Sequence, residues 1–185
     1  YAFIGCGNLE RVILPSTLVI IDNSNPVFTG CSKLEITATA PKEGQEFYHY
    51  VYDGALYMHI GREKTEKLRW IPEKKTGTVV IKEGTTEITQ CSIYLTNVDK
   101  IVIPGSVKLI DIYTFVSCKT PLVLELNWKT KEDVDEITTN MSDPSSFFFD
   151  GTDRSAVKVT VPKGTKSYYE SHWLWSNLGG IVERP

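Results

Sequence analysis

The sequence predicts a β-rich α/β solenoid with one parallel strand per repeat, an inserted β-hairpin and a short helical cap near the C-terminal end. Three observations lead there. A unit of about 25 residues recurs in degraded form, a period in the range of stacked repeat architectures. Its best-kept piece is Phe-x-small-Cys followed by an apolar run ending at Pro, seen from Phe3 through Cys6 to Pro15 and again at Phe28–Cys31. Apolar residues alternate with period two after several of these pieces, as in a strand buried on one face. Finally, Asp53-Gly54 stands between two β-rich runs.

The elements follow in chain order. Leu9-x-x-Val12-x-Leu14-Pro15 and Val98-x-x-Ile101-x-Ile103-Pro104 share one spacing. Val79-x-Ile81, Leu122-x-Leu124-x-Leu126 and Val157-x-Val159-x-Val161-Pro162 repeat the alternation, and Leu34, Ile36 and Ala38 carry a version one residue shorter. Six strands are therefore expected. After the Pro comes a turn and a second apolar set, at Leu18-Val19-Ile20-Ile21 and at Val107-Lys108-Leu109-Ile110. Pro ends the ladder and the turn sends the chain back. Phe115–Cys118 is a further copy, 27 residues after Cys91, and Phe149-Asp150-Gly151-Thr152 is another with Thr in the thiol's place.

One such unit cannot bury its apolar side alone, so coils must stack and share a core. A single body over 1–185 is expected, burying roughly 70% of the surface its unfolded chain exposes. Within it, 1–41 reads as regular repeats, 42–77 as an irregular unit with the hairpin, 78–151 as degenerate repeats, and 152–185 as the last strand and cap.

Ala2 through Ile21 closely resembles the repeat of the BspA-like leucine-rich-repeat proteins of bacterial surfaces, Ala-Phe-x-x-Cys-x-x-Leu-x-x-Val-x-Ile-Pro-x-Ser-Val-x-x-Ile. Asp53-Gly54-Ala55-Leu56-Tyr57 is similar to an insertion of some members, and Lys82–Ile88 to the family's turn. The stretch from Val161-Pro162-Lys163-Gly164-Thr165 to Ile181-Val182-Glu183 is similar to the ending of many. The pattern is broken at Gln90-Cys91-Ser92, where no Phe precedes the Cys, and between Trp128 and Pro144, where charged residues stretch the unit. The resemblance implies a leucine-rich-repeat-like right-handed coil, exported to the cell surface or the extracellular space.

Asp-Gly between β-rich runs signals a hairpin, because both central residues of a type I′ turn need positive φ. Tyr48, Tyr50 and Tyr52 share one face of its first strand, where they either offer rings to a sugar or partner protein or cover the solenoid's flank. The charged run Arg62–Lys67 reads as a solvated loop. Gly164-Thr165 supplies an N-cap for a short helix over the residues that follow. Trp173, Trp175 and Leu178 then close the open end, the alternative being a ligand site at the two Trp residues. Tyr1 begins in mid-unit with no matching cap, so upstream residues are expected.

The chain has 20 basic and 23 acidic residues, a formal charge of −3, and no basic run interleaved with aromatics, so nucleic-acid binding finds no support. No apolar stretch is long enough to span a membrane, and no signal-peptide-like start is present. Cys6, Cys31 and Cys118 occupy equivalent repeat positions, which favours thiols in a core column over a bridge such as Cys6 to Cys31. No Cys-x-x-Cys occurs, and His49, His59 and His172 have no ligand spacing to the cysteines, so no metal and no cofactor is expected. Catalytic motifs are likewise absent. The carboxylates of Glu132, Asp133, Asp135 and Glu136 lack an apolar neighbour to raise a pKa and read as a solvated loop or short helix. Asp150 and Asp153 do not form an EF-hand loop.

The expected function is a non-catalytic recognition module, a monomer binding a host protein or polysaccharide. If the alternation holds, Arg11, Ile13, Glu35, Thr37, Lys100, Val102, Glu125, Lys158 and Thr160 face outward, mixing signs with a few apolar side chains in a way that suits protein contact. The alternative is a structural spacer within a larger surface protein, and an enzyme stands last.

Overall fold

The structure, a computed structural model, describes residues 2–18, 27–139 and 147–185. It is a β-solenoid of about seven turns. The strands run β1 (Arg11–Leu14), β2 (Glu35–Ala38), β3 (Phe47–Tyr52), β4 (Ala55–Ile60), β5 (Thr65–Trp70), β6 (Thr76–Val80), β7 (Glu87–Ile88), β8 (Asn97–Ile103), β9 (Leu109–Ile110), β10 (Leu122–Leu126), β11 (Val157–Val161) and β12 (Ile181–Glu183). Two short helices, α1 (Lys131–Asp135) and α2 (Lys166–Glu170), complete it. All six strands expected from alternation are present. The second apolar set at Val19-Ile20-Ile21, the start at Tyr1 and the end of the stretched unit at Pro144 lie outside the described residues.

From β6 to β10 the chain alternates between two sheets. Strands β6, β8, β10, β11 and β12 lie side by side in parallel, while the two-residue β7 and β9 pair in parallel on the other sheet. The turns of β6 and β8 thus each place a longer strand on one face and a two-residue strand behind it. The hairpin β3–β4 forms around Asp53-Gly54, both with positive φ, as the turn requires. It does not hang free: β4 pairs antiparallel with β5, and β5 pairs in parallel with β7, so the insertion extends the rear sheet.

That corrects the reading of Arg62–Lys67 as a loop. Thr65–Lys67 open β5, and Lys67 Nζ meets Glu87 Oε2 at 2.6 Å across the β5–β7 pair, both side chains only 16% exposed. The charges had hidden the alternation of Leu68 and Trp70, which are both buried.

The core is also not one body of shared side chains. The larger cluster fills the turns from β6 onward and takes in Ala55, Tyr57 and Leu68 of the insertion, with Val79, Ile101, Leu124 and Val159 fully or almost fully buried. Leu14, Phe28, Cys31, Leu34 and Ile36 instead pack on Leu56 and Trp70 of the insertion. The insertion routes the chain away to the rear sheet after β2, so the first two strands form their own two-stranded sheet. Glu73, 8% exposed, helps to join the blocks: its Oε1 accepts the Gly30 amide at 2.7 Å.

At the far end α2 buries Tyr169, whose hydroxyl donates to the Trp128 carbonyl at 2.6 Å. Trp175 is fully buried and stacks on Trp128 at 6.0 Å, Leu178 packs at the margin, and Trp173 stays 37% exposed, edge-on to Phe148. Burial of Trp175 rules out a two-Trp ligand site. Thr165 holds the N-cap position but makes no cap bond, its hydroxyl donating to the Pro162 carbonyl at 2.7 Å. Glu183 caps instead, accepting the Lys166 amide at 3.0 Å, and backbone donors at Lys166 and Gly164 hold its carboxyl below the usual range.

Candidate recognition surface

Parallel pairing sets equivalent side chains beside one another at the strand spacing of about 4.8 Å. Inward alternation in β6, β8, β10, β11 and β12 therefore leaves two outward rows. Thr78, Lys100, Val123 and Lys158 form one, and Val80, Val102, Glu125, Thr160 and Val182 form the other. On the separate sheet, Arg11 stands beside Glu35 and Ile13 beside Thr37. Large apolar side chains are left in water here: Ile13 is 62% exposed, Val80 51% and Val182 58%.

All nine outward residues expected from alternation point to solvent or lie at the half-buried margin. They do not form one continuous face, because β2 and β6 are not paired. Thr78, Val80, Val123 and Val182 were missed, although the first three follow from reading the polar side of the same alternation. Val182 gave no signal, since a three-residue strand is too short for a pattern.

Charge on this surface is organised around Glu125. Its carboxylate lies 2.5 Å from Lys100 Nζ and also meets Arg184, which donates to the Leu126 carbonyl and to Asn127 Oδ1. Burial pushes the Glu125 carboxyl up, but bonds and charge from Lys100 and Arg184 outweigh that and hold it below the ordinary range. Lys100 is therefore partly neutralised, and Lys158 is an exposed cation of the same row.

The three tyrosines belong to the rear sheet and are not brought to these rows. Tyr50 donates to Glu66 Oε2 at 2.6 Å, lies under Lys82 Nζ at 5.0 Å and stacks on Tyr57 at 5.6 Å. Burial, then Glu66, raises its phenol well above the ordinary value. Tyr48 stacks on His59 at 4.9 Å. Tyr52 alone is largely open, at 45% exposure. Flank covering accounts for Tyr48 and Tyr50.

The carboxylates of α1 and of the Asp153 turn have structural occupations. Thr130 caps α1 by accepting the Asp133 amide at 3.1 Å, and Lys108 meets Asp133 at 3.0 Å and Glu136 at 3.3 Å. Asp153 accepts the Ser155 amide at 3.0 Å and caps a single 3₁₀ turn. Among the described residues no group of three or more His, Cys, Asp or Glu side chains is placed to hold a metal ion. No helix among them is long and apolar enough to cross a membrane.

The cysteines are all free. Cys31, Cys91 and Cys118 are buried, but Cys6 is exposed, so the expected column is one thiol short. Cys6 lies on the first coil, and no described coil covers its outer side.

The profile of the BspA-type leucine-rich repeat region matches the chain in six copies over residues 1–121 and 72–178. The chain belongs to the BspA-type leucine-rich repeat family. No curated protein matches it in sequence. Among solved structures, this BspA-type chain is similar to a leucine-rich repeat protein from Eubacterium ventriosum ATCC 27560, with TM-score 0.57 and 16% identity over 94% of its length. It is also similar to a leucine-rich cell surface protein from Faecalibacterium prausnitzii A2-165, with TM-score 0.53 and 16% identity over 96% of its length. The BspA-type chain spans 42% and 48% of the lengths of these two proteins. At that identity the likeness speaks for the coil, whose repeat tolerates substitution wherever inward volume is kept.

Proposed function

We propose that the chain is a non-catalytic recognition module of a bacterial surface or secreted protein, and that it binds a protein ligand through the outward rows of its parallel strands. The observation that carries this is the row Val80, Val102, Glu125, Thr160 and Val182, a registered line of side chains across five strands with solvent-exposed valines at both ends. Exposed apolar side chains mixed with both signs of charge suit a protein surface better than a polyanionic polysaccharide. Family membership and the cell-surface neighbour support the location.

The test is a binding screen of the purified chain against an array of matrix proteins and polysaccharides at physiological salt, beside a Val80→Glu/Lys158→Glu variant. Saturable binding to a protein, lost in the variant, supports the reading. Silence across the array favours the second role open to a stacked coil, that of a spacer holding other parts of a surface protein apart.

A further inference from the structure

The parallel face breaks between β2 and β6, and the break is a cleft of about 330 Å³ lined by Leu34, Glu35, Ile36 and Thr37 on one side and Pro72, Lys74 and Lys75 on the other. Its end is closed by the hairpin turn at Gly54. The first wall is the edge of β2, and the second leads directly into the edge strand β6. Glu35 donates its amide to the Glu10 carbonyl and Thr39 to that of Leu14, each at 2.9 Å, so residues 35, 37 and 39 turn their backbone groups toward β1. In a parallel ladder alternate residues face opposite sides, which turns the N–H and C=O of Ile36 and Ala38 away from β1. Beyond the other wall, in β6, Ile81 donates to the Val102 carbonyl at 3.0 Å, so Val79 and Ile81 face β8 while Thr78 and Val80 face away. Among the described residues neither outer edge has a strand partner.

We propose that this cleft receives an extended peptide segment of another protein, which adds as a parallel strand along the edge of β2 and against the segment leading into β6. An alternating row of backbone donors and acceptors is matched by one class of ligand, another peptide backbone in extended form. Ile36 and Pro72, buried at the cleft walls, leave an apolar floor for the inward side chains of that peptide. Across the mouth Lys74 Nζ meets Glu35 Oε1 at 2.8 Å. This pair is an easily opened latch, because exposed ion pairs contribute little to stability. Opened, it presents one charge of each sign to the outward side chains of the incoming strand. The inference rests on the reading of the chain as a recognition module and names the kind of partner it takes.

The probe is an array of random nine-residue peptides, followed by its strongest binder with alternate backbone amides N-methylated. Two variants address the site, Ala38→Pro and Thr78→Pro. Each removes one N–H on the outer edge of its strand, turned away from the existing ladder, which stays intact, as edge positions allow. Unchanged melting temperature and circular dichroism establish that each is folded, and Thr37→Trp, which fills the cleft from an exposed position on its wall, replaces any that is not. The expected result is saturable binding of peptides with alternating apolar residues, weakened at least tenfold by either proline and abolished by N-methylation. An array with no binder, or a binder indifferent to both prolines, overturns the proposal. A dimer of this chain in sedimentation that Ala38→Pro dissolves overturns it in favour of a second copy. If a protein ligand is instead lost in Val80→Glu/Lys158→Glu but kept in both proline variants, the cleft is refuted while the recognition reading stands.

Discussion

Thr152 donates its hydroxyl proton to the carbonyl oxygen of Phe115, 37 residues earlier, at 2.7 Å. Cys31 makes the same bond one coil back, its Sγ donating to the Phe3 carbonyl at 2.9 Å. In each case the fourth residue of Phe-x-small-Cys reaches the first residue of the preceding copy. The rings of the same copies stack, Phe3 on Phe28 at 5.7 Å and Phe115 on Phe149 at 5.0 Å. The third position must be small because a Cβ on Gly30 would come within 3.0 Å of the Gly5 backbone. The motif is therefore a joint between coils, which needs a small buried donor more than it needs sulfur.

Thr152 also accepts the Cys118 amide at 2.9 Å. Thr152→Val leaves both backbone groups without their partner, and a loss of about 2 kcal/mol or more is expected from the penalty for unsatisfied buried groups. Thr152→Ser should cost clearly less. Urea melts of both variants decide it; equal losses would show that the joint rests on packing alone.

Thiol accessibility should separate the cysteines. At pH 8 the native chain is expected to react with Ellman's reagent at Cys6 only, and the denatured chain at all four cysteines. Burial pushes the thiols of Cys91 up to about 11 and Cys118 up to about 12, so neither supplies thiolate in the native state. Cys6→Ser should remove the native reaction entirely.

Two core clusters imply two responses to a buried carboxylate. Leu14→Asp places an unpaired charge in the smaller cluster, and hydrogen exchange should show lost protection over β1 and β2 with β8 and β10 still protected. Leu124→Asp strikes the larger cluster and should unfold every strand. The milder Leu124→Ala is expected to cost about 2–5 kcal/mol in denaturant melts. Simultaneous loss in both aspartate variants would mean that the clusters act as one.

Stability should fall in mild acid. His172 is buried against Trp173 and Trp175, and burial pushes its pKa down to about 4, against a smaller opposing pull from Asp135. Its Nδ1 accepts the Leu174 amide at 3.3 Å, which fixes the neutral form. In the unfolded chain histidine takes its proton near 6.5. Between those values the unfolded state binds more protons, so the stabilisation is complete above about pH 6.5 and declines as pH drops toward 4. His49, buried with Nδ1 3.2 Å from the Leu18 carbonyl, is shifted in the same direction. Melting temperature followed from pH 8 to pH 4 should decline below about 6.5, less steeply in His172→Phe; parallel profiles would remove His172 from the account.

The sequence by itself determined the coil, the six strands marked by alternation and which side of each faces in. These are local properties: alternation at Leu122, Leu124 and Leu126 states its own inward face wherever the strand sits. The Asp53-Gly54 hairpin was legible for the same reason, since its turn is specified by two adjacent residues. Tertiary structure decided what depends on neighbours. Cys6 and Cys31 occupy identical motifs, yet one is exposed and the other buried, because burial in a solenoid is conferred by the coil on either side. Thr65–Trp70 became a strand between β4 and β7 despite its charges, because Lys67 found Glu87 across the pair. The break between β2 and β6 has no signature in either strand, for an edge is the absence of a partner, and only the path of the intervening residues decides where a partner is missing.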